Sequence, residues 1–96
     1  MLDEVFTSFW SAEDVKSWHA PGYYSITVYT LEPGEWHFTA RDVRKKKSYS
    51  GSGSSSSEVQ RAALVKLLKI KTQVSDQDLI DAVRSEMAFD CLSKAV

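Results

Sequence analysis

The sequence has few of the residues that build metal centres or covalent cross-links. Its 96 residues include one cysteine, Cys91, and two histidines, His19 and His37, with no CxxC or HxxxH pair. A structural zinc site needs about four such ligands. One cysteine excludes an internal disulfide and fits a reducing compartment. We therefore expect no metal site, no cofactor and an intracellular protein, cytoplasmic or nuclear.

Long apolar runs and catalytic motifs are also missing. No apolar stretch approaches the roughly 18 residues that a membrane helix needs. The first ten residues, MLDEVFTSFW, carry acids where a signal peptide carries cations. The sequence has no Walker loop, GxGxxG or nucleophile elbow, and GSGSSSS lacks the lysine of a phosphate-binding loop. We expect no membrane partner, no catalytic residues and no enzyme activity.

Charge, by contrast, is plentiful and sharply segregated. Residues 1–40 hold six acids and one base, residues 41–71 nine bases and two acids, and residues 72–96 five acids and two bases. The net charge of −1 hides these local balances of −5, +7 and −3. A basic middle between acidic flanks favours phosphate or the acidic face of another protein as a partner. The alternative interpretation is that the basic segment is simply the solvated tip of a hairpin and binds no partner.

Apolar periodicity predicts helical structure near the N-terminus. In LDEVFTSFW, apolar residues recur at spacings of three and four, from Leu2 to Trp10, which is typical of an amphipathic helix. SAEDVKSW then offers Ser11 as an N-cap, so one helix continues or a second begins there. Pro21 and Gly22 end this helical region.

Alternation of apolar and polar residues predicts strands in the next segment. YYSITVYTL alternates, EPGE is a turn, and WHFTARDV places Trp36, Phe38 and Ala40 on one face. RKKK forms a polar tip, and KSYSG is long enough for a third strand. These segments predict a three-stranded antiparallel meander, which needs helices packed on it for stability.

The run GSGSSSS admits two interpretations: a flexible or engineered joint, or the start of a helix. Ser57 precedes EVQRAALVKLLKI and is a candidate N-cap, with Glu58 in the first turn. Ser75 would cap a further helix lined by Ile80, Val83, Met87 and Cys91. The prediction is therefore an α+β protein with a three-stranded antiparallel sheet packed on helices. Residues 1–96 form one domain, with an α-β-β-β-α unit over 1–71 and an additional C-terminal helix over 72–96.

The element order and the segment GSGSSSSEVQRAALVKLL resemble the double-stranded-RNA-binding domain, in which a third strand leads through Gly and Ser into an Ala-rich helix. The resemblance covers roughly residues 1 to 70. It implies that Val59, Ala63, Leu64, Leu67 and Leu68 occupy packing positions, and it implies duplex RNA as the ligand. Three positions depart from the family's pattern, because Ser56, Ser57 and Gln60 stand where its phosphate-binding lysines stand.

The resemblance and the charge map together lead to a non-catalytic interaction module. Its main interpretation is nucleic-acid binding, duplex RNA included, through the basic tip. The alternative is a protein–protein adaptor or a homodimer derived from the same fold. Trp10, Trp18 and Trp36 are expected in the core, and any exposed one would mark a contact surface. The candidate binding residues are Arg41, Arg44, Lys45, Lys46, Lys47 and Tyr49, with Lys66, Lys69 and Lys71 as auxiliary contacts.

Overall fold

The structure, a computed structural model, describes residues 2–70 and 73–95, and the side chains of residues 2–70 and 73–87. A short 3-10 helix, Leu2–Glu4, opens the chain. Five strands and two helices follow: β1 (Thr7–Ser11), β2 (Val15–Ala20), β3 (Tyr24–Glu32), β4 (Glu35–Asp42), β5 (Lys47–Gly53), α1 (Ser56–Leu68) and α2 (Asp76–Ala95).

The strands form one antiparallel sheet in the order β1-β2-β3-β4-β5. Short connections make this meander, since antiparallel neighbours can be joined by tight turns. Gly22 and Gly34 lie in two of these turns at φ 84° and 77°, a conformation that glycine adopts without a steric penalty. The Gly34 turn was predicted from sequence, and so were β3, β4 and β5. Pro21 and Gly22 were expected to end a helix and instead lie in the turn between β2 and β3.

The predicted three-stranded sheet is wrong, and so are the N-terminal helices, although the α+β class is confirmed. The segment read as helix folds into the Leu2–Glu4 turn, β1 and β2. Leu2 and Phe6 are buried, as an amphipathic pattern requires, but Thr7–Ser11 pairs with β2 instead of continuing a helix. Aromatic and β-branched residues fit a pleated strand well, and pairing with a neighbouring strand overrides a short helical period.

In the part of the chain that the structure describes, the two helices cover one face of the sheet. Its residues in the core are Trp18, Ala20, Tyr24, Ile26, Val28, Phe38 and Ala40, which pack with Val59, Ala63, Leu64, Leu67, Leu79 and Val83 of the two helices. The alternate residues of each strand point to the other side, which we call the open face. Because strand side chains alternate with a period of two, each face of the sheet is made of its own set of residues.

The Gly- and Ser-rich run is part of the fold and not a linker between two pieces. Gly51 and Gly53 belong to β5, and only Ser54 and Ser55 separate the strand from α1. The N-cap is Ser55, whose hydroxyl accepts a hydrogen bond from the Glu58 N–H at 3.1 Å. The prediction of Ser57 as the cap is therefore wrong by two residues, because any member of a serine run can supply the capping oxygen.

Helix α2 begins as predicted after Ser75, whose hydroxyl accepts a hydrogen bond from the Asp78 N–H at 3.1 Å. Leu79, Ile80 and Val83 are buried on its inner side. The predicted role of Cys91 on that side lies outside the described side chains. Within the described part of the chain, neither helix has the length and apolar content that crossing a membrane requires.

Candidate nucleic-acid interface

The turn between β4 and β5 carries the cations that the sequence predicted as a tip. We call residues 44–47 the basic tip. Asp42, at the end of β4, is buried, and its carboxylate accepts a hydrogen bond from the Lys45 N–H at 3.1 Å. Lys46 takes a left-handed conformation at φ 56°. The Val43 N–H donates to the Tyr23 carbonyl at 2.9 Å, which ties the tip to the β2–β3 turn.

Arg44 points back onto the protein rather than outwards. Its guanidinium carbon lies 4.9 Å from the centre of the Tyr23 ring, and its Nη2 donates to the Tyr24 hydroxyl at 3.3 Å. The same nitrogen lies 3.7 Å from Glu86 on α2. Burial raises the pKa of Tyr24, so its phenol stays neutral beside these groups. Arg44 therefore joins the tip to the sheet and to α2, and it is less available to an outside phosphate.

The other predicted binding residues are divided between the two faces. Lys45, Lys46 and Lys47 are exposed. Arg41 lies on the open face directly before the tip, with its Nη1 3.3 Å from the Ser48 hydroxyl. Tyr49 pairs with Ala40 and packs against the core on the helix-covered face. The structure thus brings Arg41 and the three lysines to one end of the sheet and places Tyr49 on the opposite face from Arg41.

The auxiliary lysines do not join this surface. Lys66 donates to the Ser50 carbonyl at 3.0 Å and lies 5.9 Å from the centre of the Phe38 ring, beside the outer edge of β5. Lys69 is exposed and forms the C-cap of α1 at φ 55°. Lys71 lies outside the described residues. Lys66 therefore protects a sheet edge, which is a common use of lysine.

The open face consists of cross-strand rows, because paired residues of antiparallel strands point to the same side. The row nearest the basic tip runs Thr7, His19, Ser25, Arg41 and Ser48. The next row runs Trp10, Ser17, Thr27, Thr39 and Ser50. These two rows hold hydroxyls, an imidazole, an indole and a guanidinium, and they contain no carboxylate.

Two exposed aromatic residues, Phe9 and Trp10, stand at the β1 end of these rows. Sequence reasoning missed Phe9, and the prediction that Trp10 lies in the core is wrong. Phe9 is 69% exposed and Trp10 is 59% exposed, whereas Trp18 is buried as expected. The Phe9 ring lies 5.2 Å from the His19 ring, which places Phe9 on the open face as well. The available signal was the composition of TSFWS, which is typical of a strand and has its aromatic residues between hydroxyl-bearing neighbours.

The far end of the sheet has the opposite charge. The Thr30 N–H donates to the Asp14 carbonyl at 2.9 Å, which brings the β1–β2 and β3–β4 turns together. A cleft of about 480 Å³ there is lined by residues that include Glu13, Asp14 and Glu32. Glu35 is also at this end of the sheet, and its Oε1 lies 3.4 Å from Nε2 of His37. An anionic ligand is therefore disfavoured at this end and favoured at the basic tip.

No protein-family model, curated protein or solved structure matches this chain. The resemblance to the double-stranded-RNA-binding domain thus stays a prediction. Among the described residues, no three His, Cys, Asp or Glu side chains form a group that could hold a metal ion. Function has therefore to be inferred from the structure: a five-stranded antiparallel meander with two helices on one face and an open face that carries aromatic rings and hydroxyls.

Proposed function

We propose that this protein is a non-catalytic module that binds nucleic acid, with the basic tip as its phosphate contact. The observation that carries the proposal is the position of Lys45, Lys46 and Lys47, exposed on a turn that Asp42 and Arg44 anchor to the fold. An anchored turn presents several ammonium groups to one phosphate backbone without burying them. Arg41 extends the cationic surface onto the open face.

Electrostatics supports a defined orientation of the ligand. Phosphates neutralised by lysine release condensed counterions, and this release supplies much of the affinity for nucleic acids. The carboxylates at the far end of the sheet repel the same backbone. A bound strand would therefore lie near the tip and the Arg41 row, and away from Glu13, Asp14 and Glu32.

The test is a fluorescence-anisotropy titration of labelled single-stranded RNA, single-stranded DNA, duplex RNA and duplex DNA at two salt concentrations. We expect binding that weakens steeply with salt. Replacing Lys45, Lys46 and Lys47 together by Ala should lower the slope of log K against log salt by about 2 to 3, since each phosphate contact contributes about 0.7 to 0.9.

Two controls separate a phosphate contact from general charge. Replacing the same three lysines by Arg keeps the charges and should preserve binding. Arg84→Ala removes an exposed cation from α2 and should leave the salt slope unchanged. Absence of binding to every nucleic acid at low salt would rule the proposal out, and a protein partner or a second copy of the chain would then be the better hypothesis.

A further inference from the structure

Strand β1 contains a β-bulge that changes the direction of one side chain. Ser8 pairs with Trp18, and the next pair is Trp10 with Ser17, so Phe9 is an extra residue in the strand. In a regular strand, Phe9 and Trp10 would point to opposite faces. With the bulge, Phe9 lies against His19 and Trp10 stands over Ser17, so both rings are on the open face.

Folding alone does not account for these two rings. They stay 69% and 59% exposed, while the core on the other face is completed by Leu2, Phe6 and Trp18. Bulges occur preferentially at sheet edges and beside functional sites, where they redirect a side chain. Exposed aromatic side chains that lie together on a surface mark a contact site more often than single ones do.

We propose that Phe9 and Trp10 are a stacking platform for the unpaired bases of a single-stranded nucleic acid. This inference rests on the proposed function and specifies its ligand class. Base–aromatic stacking tolerates any sequence, because every base has a π-face. In a duplex the faces of the bases are already stacked on each other, so only a single strand can offer them to protein rings.

The open face provides a continuous path between the platform and the basic tip. The row Thr7, His19, Ser25, Arg41 and Ser48 crosses all five strands, with the Phe9 ring against its second member and the tip next to its last two. Four strand spacings amount to about 19 Å. A strand of a few nucleotides covers that distance, which lies at the short end of known single-strand sites. Arg41 can meet phosphate on this path, and the hydroxyls and His19 can hydrogen-bond to bases or sugars.

The composition of the face argues against a second copy of the chain as the occupant. The neighbouring row consists of Trp10 followed by Ser17, Thr27, Thr39 and Ser50. The Ser17 and Thr27 hydroxyls lie 3.1 Å apart and form a hydrogen bond. Permanent interfaces between identical chains have apolar centres, whereas this row has hydroxyls at all four positions after Trp10, and the row beyond it contains His37 and Ser52 beside Val15 and Tyr29.

The experiment compares two ligands of equal length and charge: a labelled oligouridylate of 12 nucleotides and a matching oligomer whose central sugars lack bases. We expect the wild-type chain to bind the base-containing strand more tightly. Trp10→Ala should weaken that binding by about 5- to 140-fold, the equivalent of one lost stacking contact. It should leave the affinity for the abasic strand unchanged. Phe9→Ala should act in the same direction.

Two further variants make the result specific. Trp10→Phe keeps a ring, so it should retain most of the affinity but lose the quenching of indole fluorescence that stacking causes. Leu31→Ala removes a 79% exposed apolar side chain at the opposite end of the sheet and should change nothing.

Equal binding of both oligomers, with Trp10→Ala having no effect, would overturn the platform. If binding to both oligomers still depended on Lys45, Lys46 and Lys47, the proposed phosphate contact at the basic tip would remain valid without the stacking platform. Equal affinity for a duplex of the same length would overturn the single-strand assignment. Concentration-dependent dimerisation that Trp10→Ala abolishes, without nucleic-acid binding, would assign the rings to self-association.

Discussion

At the scale of single residues, the tightest constraint is at Gly51. A Cβ atom there would lie 2.6 Å from Cε1 of Phe38, whose ring is buried between the sheet and the helices. The glycine thus leaves room for the largest fully buried side chain of the core. The Gly- and Ser-rich run suggests a flexible linker by its composition, but Gly51 is needed for the packing of Phe38 against β5.

Gly51→Ala should therefore destabilise the protein. The extra methyl group overpacks the core, and overpacking costs about 1 to 3 kcal/mol. Ser52→Ala, on the exposed face of the same strand, should change the free energy of unfolding by less than about 0.5 kcal/mol. Urea denaturation followed by Trp fluorescence measures both. An unchanged midpoint for Gly51→Ala would mean that Phe38 does not pack under β5 as described.

The phenol of Tyr24 makes stability depend on pH at the alkaline end. Its pKa is raised above the ordinary 10.0, first of all by burial. Above about pH 10 the unfolded chain loses this proton while the folded chain keeps it, so the free energy of unfolding falls as pH rises. Tyr24→Phe should reduce that fall. Unfolding measured at pH 8 and at several values above pH 10 tests this, and a pH dependence equal to that of the wild-type chain would contradict it.

At the scale of elements, the start of α1 is determined by one serine among four. Ser55 accepts from the Glu58 N–H, and the Glu58 carboxylate in turn accepts from the Ser54 N–H at 3.0 Å and the Ser54 hydroxyl at 2.6 Å. These hydrogen bonds lower the pKa of Glu58. This reciprocal arrangement is a close variant of the capping box, and it joins the end of β5 to the helix.

Ser55→Ala should lower the free energy of unfolding by about 1 kcal/mol, the usual cost of losing an N-cap. Ser57→Ala is the matched control, because it alters the same run inside the first turn and removes no capping bond. Its effect should be close to zero. Thermal unfolding by circular dichroism distinguishes the two, and the reverse ranking would move the helix start to Ser57.

At the scale of the whole molecule, the sheet and both helices share one core. Leu2 from the N-terminal turn, Val28 from the middle strand and Leu79 from α2 belong to the same buried cluster. Residues that share a core are expected to unfold together in a domain of this size. Among the described residues, the charge is polarised along the strands, with the basic tip at one end and the acidic turns at the other, so electrostatics favours an anionic ligand at the end of the tip.

Leu79→Ala should therefore destabilise the sheet as well as α2. The loss of a buried leucine costs about 2 to 5 kcal/mol. Circular dichroism and tryptophan fluorescence should report coincident transitions shifted by the same amount; the fluorescence reports on the sheet, since Trp10, Trp18 and Trp36 all lie in strands. Asp81→Ala, on the exposed side of α2, should leave both unchanged. Loss of helical signal before any change in fluorescence would show that the C-terminal helix is an independent unit.

The sequence by itself determined the features that depend on local chemistry. Period-two alternation located β3 and β4, Pro33 and Gly34 located the turn between them, and Ser75 located the start of α2. The cationic run RKKK identified the basic tip, because charged side chains are costly to bury, and its three lysines are exposed. The position of Arg44 against Tyr23 and Tyr24 was not predictable from the run itself. The α+β class followed from these elements.

Tertiary structure alone decided the rest. The segment from Leu2 to Trp10 satisfies a helical period and a strand composition equally well, and only pairing with β2 resolves that conflict. The bulge at Phe9 and the separation of Arg41 from Tyr49 also depend on which residue lies opposite which. Strand register is a long-range property, and a shift of one residue moves every side chain to the other face. The open face with its two exposed rings therefore exists only in the folded chain.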